Sequence, residues 1–216
     1  VSDIQKLENA RIFFYTSQTL DVWAAKNEVN KVEVIKLLPK ENLHYFEGDG
    51  IDPHFWTSPK TVLSIVDTLE SILSEQFPEM RKTIEISSKN FKMKLMYLDS
   101  TVSAKLDEIK DRYIFLFHPS FLYLIRDYGL NYGGSLEENP GSEPTPLHIS
   151  NLINRIKETG TKAIFSEPQL NRHSAEVLAK NAYVNLYVID PLGSNNVRTY
   201  EDFVSRNVQT IYEALK

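Results

Sequence analysis

The sequence predicts an α/β protein of two lobes, each a parallel sheet flanked by helices, bridged by one long helix. Three observations carry that prediction. Short β-branched and aromatic runs alternate with helical periodicities along most of the chain, the rhythm of parallel sheets covered on both faces. Residues 79–110 contain neither proline nor glycine, while apolar side chains recur at Ile84, Phe91, Leu95, Leu98, Val102, Leu106 and Ile109. As one helix that stretch would extend about 45–50 Å at about 1.5 Å per residue; two helices with an unrecognised break are its other reading. The composition, 42% hydrophobic and 25% charged over 216 residues, suits a globular chain with one or two modest cores. The expected division is residues 1–78 for the first lobe, 79–110 for the bridge and 111–216 for the second lobe.

The elements follow in order. Residues 3–10 read as a short helix with Ile4 and Leu7 on its buried side, and 11–16 as a buried strand. Residues 18–26, carrying Leu20, Val22 and Trp23, read as helix, and 32–38 as a strand stopped by Pro39. An irregular loop over 41–53 holds Gly48, Asp49 and Gly50. Ser58 and Pro59 then open a helix as N-cap and first turn. Its apolar face is Val62, Ile65, Val66, Leu69, Ile72 and Leu73, at helical spacing.

Beyond the bridge the alternation tightens. Strand 112–117 leads to helix 121–128, with Gly129 as its C-cap, and residues 130–132 form a short strand. A Gly/Pro/Glu-rich loop over 133–146 precedes helix 147–159, capped by Gly160. Strand 162–166, helix 172–181, strand 185–189 and helix 200–215 complete the chain. The first lobe supplies only two obvious strands, and Val1 is not an initiator methionine. Upstream chain is therefore expected.

Composition excludes several functions. Lys and Arg total 24 against 29 Asp and Glu, a formal net charge of -5 without a basic stripe, so no nucleic-acid partner is expected. No apolar run approaches the roughly 20 residues of a membrane span. The cysteine count of zero removes disulfides, cysteine-held zinc and thiol catalysis.

The chemistry-bearing residues stand at strand ends, where open parallel sheets collect ligands. His118 follows strand 112–117, Glu167 follows strand 162–166 and Asp190 follows strand 185–189. If the three strands are parallel, all three side chains leave one sheet edge, a coordination-site arrangement. The competing reading is that each caps the helix or loop behind it. His54, alone, is an ordinary loop histidine beside two anchoring aromatics, Phe55 and Trp56.

The segment Asp52-Pro53-His54-Phe55-Trp56-Thr57-Ser58-Pro59 resembles the DPHxWxxP signature of the zinc/manganese receptors of ABC transporters. His118-Pro119-Ser120-Phe121, with Tyr123 and Tyr128-Gly129-Leu130, is similar to that family's second motif. Residues Ile164 to Gln169 and Ile189 to Gly193 resemble its third and fourth, and Asp3-Ile4, Leu7 and Asn9-Ala10 match the stretch after its first histidine motif. The likeness runs in order over nearly the whole chain.

The resemblance implies two lobes on a rigid helix, and His54, His118 and Asp190 as metal ligands in an inter-lobe cleft. Glu167 would stabilise the site, with direct ligation a lesser option. It also implies a further histidine from a segment preceding Val1. His44, on the loop where some such receptors carry a His-rich insertion, is expected to face solvent as a weak capture residue. His148 and His173 match no ligand motif and are expected on the surface. Three imidazoles and a carboxylate would favour zinc, with manganese the alternative. The implied partners are the metal ion and a membrane permease, for a monomer that is periplasmic or lipid-anchored outside the plasma membrane. A metallohydrolase would need an open coordination position and an activating motif; HExxH is absent from the sequence. A surface adhesin is the third class.

Overall fold

The computed structural model describes residues 7, 10–26, 30–46, 50–137, 144–194 and 197–216. Most of the helix expected over 3–10, together with Gly48 and Asp49, lies outside them. Leu7, which lies inside, is buried. The chain forms two compact units. One holds Val1–Trp56 and Lys60–Met96; the other holds Thr57–Pro59 and Tyr97–Lys216.

In the first unit, β1 (Phe13–Tyr15) pairs in parallel with β2 (Lys31–Glu33), Phe14 opposite Val32. The expected strand 32–38 ends early, and Val34–Leu37 coils as a 3₁₀ turn. Glu33 explains the change. Its carboxylate accepts from the Tyr15 hydroxyl at 3.2 Å and the Gln18 N–H at 2.9 Å, and pairs with Lys36 at 2.8 Å. Lys36 reaches back across three residues only if the chain coils after Glu33. Of the helix expected over 18–26, only α1 (Val22–Ala25) forms. Local bonds hold the preceding residues in a turn: Thr16 N–H to Asp21 at 2.8 Å and Leu20 N–H to the Ser17 hydroxyl at 3.3 Å. Such side-chain acceptors compete with helix formation.

The helix expected from Ser58 onward is divided into α2 (Pro59–Leu63) and α3 (Val66–Gln76). At the break the Ser64 hydroxyl donates to the Thr61 carbonyl at 2.7 Å, and Ile65 N–H to the Val62 carbonyl at 3.2 Å. These contacts tighten the turn so that Ile65 and Val66 are buried. After a turn at Pro78–Met80, α4 (Arg81–Asp107) runs as one unbroken helix of 27 residues, about 40 Å long. Residues 81–96 belong to the first unit and 97–107 to the second. Leu98, Val102 and Leu106 form its buried stripe in the second unit.

The rest of the second unit follows the predicted alternation closely. Its elements are β3 (Tyr113–Leu116), α5 (Leu122–Asp127), β4 (Asn131–Ser135), α6 (Pro146–Thr159), β5 (Ala163–Ser166), α7 (Arg172–Ala182), β6 (Asn185–Val188) and α8 (Tyr200–Leu215). Among the described residues they build a four-stranded sheet in the order β4-β3-β5-β6, every pairing parallel. One face buries Phe115, Phe117 and Ile164 with Leu152 and Ile156 of α6 and Leu178 and Ala179 of α7. Gly129 and Gly160 take left-handed φ of 69° and 66°, closing α5 and α6 as the sequence predicts.

One strand differs from expectation. β4 extends to Ser135, into the stretch read as loop, through a bulge that sets Ile114 opposite Tyr132 but Phe115 opposite Gly134. Gly133 is the extra residue, and a Cβ there would lie 2.5 Å from the Phe115 ring. Paired glycines that look like loop residues are here what lets a strand pass a buried phenylalanine.

Candidate metal centre

Strand order locates the site in the second unit. From β3 the chain goes to β4 on one side, then returns to β5 on the other. The β3/β5 boundary is therefore the topological switch point, outside whose carboxyl end ligands bind in open α/β sheets. His118 lies just past β3 and Glu167 just past β5. Asp190 lies just past β6, and β4 delivers Glu137, a residue the sequence reading did not single out. The three expected strand-end residues do share one edge. Among the described residues, however, no three His, Asp or Glu side chains gather closely enough to hold a metal ion.

Each of these residues is fixed by identifiable bonds. His118 and Glu167 are both buried. Phe117 N–H donates to the Phe165 carbonyl at 2.7 Å, so the sheet continues to the residue before His118. The Ser120 hydroxyl donates to Glu167 at 2.5 Å, tying the His118-Pro119-Ser120 turn to the end of β5. Glu167 thus braces the segment bearing His118.

The half-buried Asp190 accepts from Gln169 at 2.8 Å, from Leu192 N–H at 3.1 Å and from Ser194 N–H at 2.6 Å. Burial alone would raise its carboxyl pKa. Hydrogen bonds from the Ser194 and Gln169 side chains and the Leu192 and Ser194 amides outweigh that, holding it below the usual range. Its backbone is held as firmly. Asp190 N–H donates to the Asn207 side-chain oxygen at 2.7 Å, and the Asn207 amide donates to the Asp190 carbonyl at 3.0 Å. A buried asparagine on α8 is a role no strand-end pattern reveals.

His54 stands in the first unit on a loop that is locally self-supporting. Tyr45 and Ile51 form an antiparallel bridge, and Asp52 N–H donates to the His44 carbonyl at 2.9 Å. The fully buried Asp52 carboxylate accepts from the His54 backbone N–H at 2.9 Å and contacts the ring Nδ1 at 2.7 Å. A carboxylate only accepts, so Nδ1 is the donor in this contact, and in the neutral ring that leaves the lone pair on Nε2. Phe46 and Trp56 enclose the ring, with centroids 6.5 and 5.4 Å away. Asp52, Pro53 and His54 form one device: an acceptor, a rigid spacer and an imidazole presenting Nε2.

Two histidines depart from expectation. His44 is half-buried rather than solvent-facing, because its carbonyl anchors Asp52. His148 is also half-buried, its Nε2 lying 2.8 Å from the Ser135 carbonyl at the end of β4. His173 is exposed as expected.

The profile of the ZnuA family, described as zinc-uptake complex component A, periplasmic, matches residues 1–214. The chain belongs to this family. Among its curated relatives, the zinc-binding protein AdcA of Streptococcus pyogenes serotype M6 is 28% identical over 217 residues, covering 88% of this chain and 42% of AdcA. This ZnuA-family chain therefore spans less than half the length of the AdcA proteins it resembles. The manganese-binding lipoprotein MntA of Halalkalibacterium halodurans is 25% identical over 224 residues, covering 99% of this chain and 75% of MntA. The laminin-binding protein Lmb of Streptococcus agalactiae, described as bifunctional with adhesin and metal-transporting activity, superposes with a TM-score of 0.87. It is 26% identical, covering all of this chain and 84% of Lmb. The two-lobe α/β fold on a long helix is thus that of the ZnuA family.

Proposed function

We propose that this ZnuA-family chain is the extracytoplasmic metal receptor of an ABC-type importer, capturing zinc and delivering it to a membrane permease. His54 from the first unit and His118 and Asp190 from the second are its ligands, with Glu167 bracing His118. The observation that carries this reading is the Asp52–His54 pair at 2.7 Å. Metal-binding histidines characteristically donate their other ring N–H to a carboxylate or carbonyl, which fixes the tautomer and raises ligand basicity. Imidazole-rich sets favour zinc over manganese, and the name of AdcA points the same way. Manganese, the ion in the name of MntA, is the alternative cargo.

A receptor for import needs a closed coordination sphere, whereas a zinc hydrolase keeps a position open for reactive water. The family description, a component of a zinc-uptake complex, favours the receptor, so no catalytic role is assigned. Among the described residues no helix is long and apolar enough to cross a membrane. The proposed partner is the membrane permease of such an importer. The likeness to Lmb supports adhesion as a second activity of the same fold.

Zinc titration against a competing chelator tests the reading, comparing the chain with its His118→Ala variant. Loss of a direct ligand should weaken binding by more than the about 10–100-fold that loss of an outer partner costs. Equal affinity of variant and parent would remove His118 from the site.

A further inference from the structure

We propose that Glu137 is the positioning residue of His118, the counterpart in the second unit of what Asp52 is to His54. The inference rests on the metal-receptor reading but concerns a residue that neither the strand-end pattern nor the family motifs single out. His118 Nδ1 and Glu137 Oε2 stand 3.8 Å apart, with side-chain exposures of 10% and 16%. That is within one small side-chain rotation of a hydrogen bond, in surroundings that admit little water to compete for it.

The approach is built into the backbone. Leu136 N–H donates to the Leu116 carbonyl at 3.0 Å and Glu137 N–H to the Phe117 carbonyl at 2.9 Å. The β3–β4 pairing therefore continues past both strands and sets Glu137 beside the residue preceding His118. The β4 bulge at Gly133 decides the phase. An extra residue in one strand shifts which side chains beyond it face a given side. The Ser135 hydroxyl then donates to the Glu137 carbonyl at 2.6 Å, while the His148 ring holds the Ser135 carbonyl at 2.8 Å. Two side chains thus secure the turn that presents Glu137. Glu167, the carboxylate past β5, accepts from the Ser120 hydroxyl.

With its Nδ1–H donated to Glu137, His118 would present Nε2 to the metal, as His54 does. Both imidazoles would be supplied in the binding tautomer before the ion arrives.

Two readouts on Glu137→Ala and Glu137→Gln test this. The first is the imidazole ¹⁵N spectrum of the metal-free chain at pH 8. His118 should carry its proton on Nδ1 in the parent and in Glu137→Gln, whose amide oxygen still accepts, and shift toward Nε2–H in Glu137→Ala. The second is zinc affinity, expected to fall about 10–100-fold in Glu137→Ala and to recover in large part in Glu137→Gln. An unchanged tautomer in Glu137→Ala overturns the proposal. So does equal loss of affinity in both variants with the tautomer intact, which would make Glu137 a ligand. The tautomer readout needs no metal, so its failure is distinct from failure of the receptor reading, which His118→Ala tests.

Discussion

At the scale of single residues, the site depends on groups one step removed from the proposed ligands. Asp52 fixes the His54 tautomer through a 2.7 Å contact, so Asp52→Ala should lower zinc affinity about 10–100-fold while leaving the His54 side chain in place. Chelator competition measures that loss, and unchanged affinity would separate Asp52 from the site. Asp190 makes a prediction in pH. Its carboxyl is held below the usual range in the folded chain, so the folded state binds its proton less readily than the unfolded state. The contribution to stability is present above the unfolded value of about 3.9 and is lost as pH falls toward the lower folded value. Urea midpoints measured between pH 3 and 7 should fall less steeply on the acid side for Asp190→Asn than for the parent. Equal slopes would mean that the hydrogen bonds to Asp190 do not act on its charge. As candidates, His118, Glu167 and Asp190 were legible from motif and strand-end position together, and His54 from its motif alone. The supporting roles of Glu137 and Asn207 were not, because they depend on pairing register and on the packing of α8, which no local pattern encodes.

At the scale of elements, periodicity located most helices and strands, and local polar bonds decided where it failed. The stretch 79–110 reads as one helix, and Arg81–Asp107 within it forms one without a break, since neither proline nor glycine interrupts its backbone ladder. Residues 32–38 read as a strand stopped by Pro39, yet Glu33 draws bonds from Tyr15, Gln18 and Lys36 and the chain coils after it. Residues 133–135 read as loop because paired glycines usually mark one. In the fold they let β4 cross the Phe115 ring, where a Cβ on Gly133 would sit 2.5 Å from carbon. Gly133→Ala must therefore displace a buried phenylalanine and should cost about 1–3 kcal/mol, the range for overpacking a filled core. Urea unfolding would show it as a lower midpoint at constant slope. A midpoint equal to the parent's would mean that the bulge is not a packing requirement.

At the scale of the whole molecule, the proposed function asks residues far apart in sequence to serve one ion. The sequence order of the motifs anticipates this only through resemblance, since composition and periodicity say nothing of which distant side chains meet. The physical expectation is narrow: zinc bonds to imidazole nitrogen and carboxylate oxygen are about 2.0–2.2 Å long, so convergence is either present or absent. The decisive measurement is an anomalous-difference map at the zinc edge from crystals grown with the metal. One strong peak is expected, within about 2.2 Å of His54 Nε2, a His118 ring nitrogen and an Asp190 oxygen. A peak bound by other residues, or separate peaks at the two histidines, would contradict it.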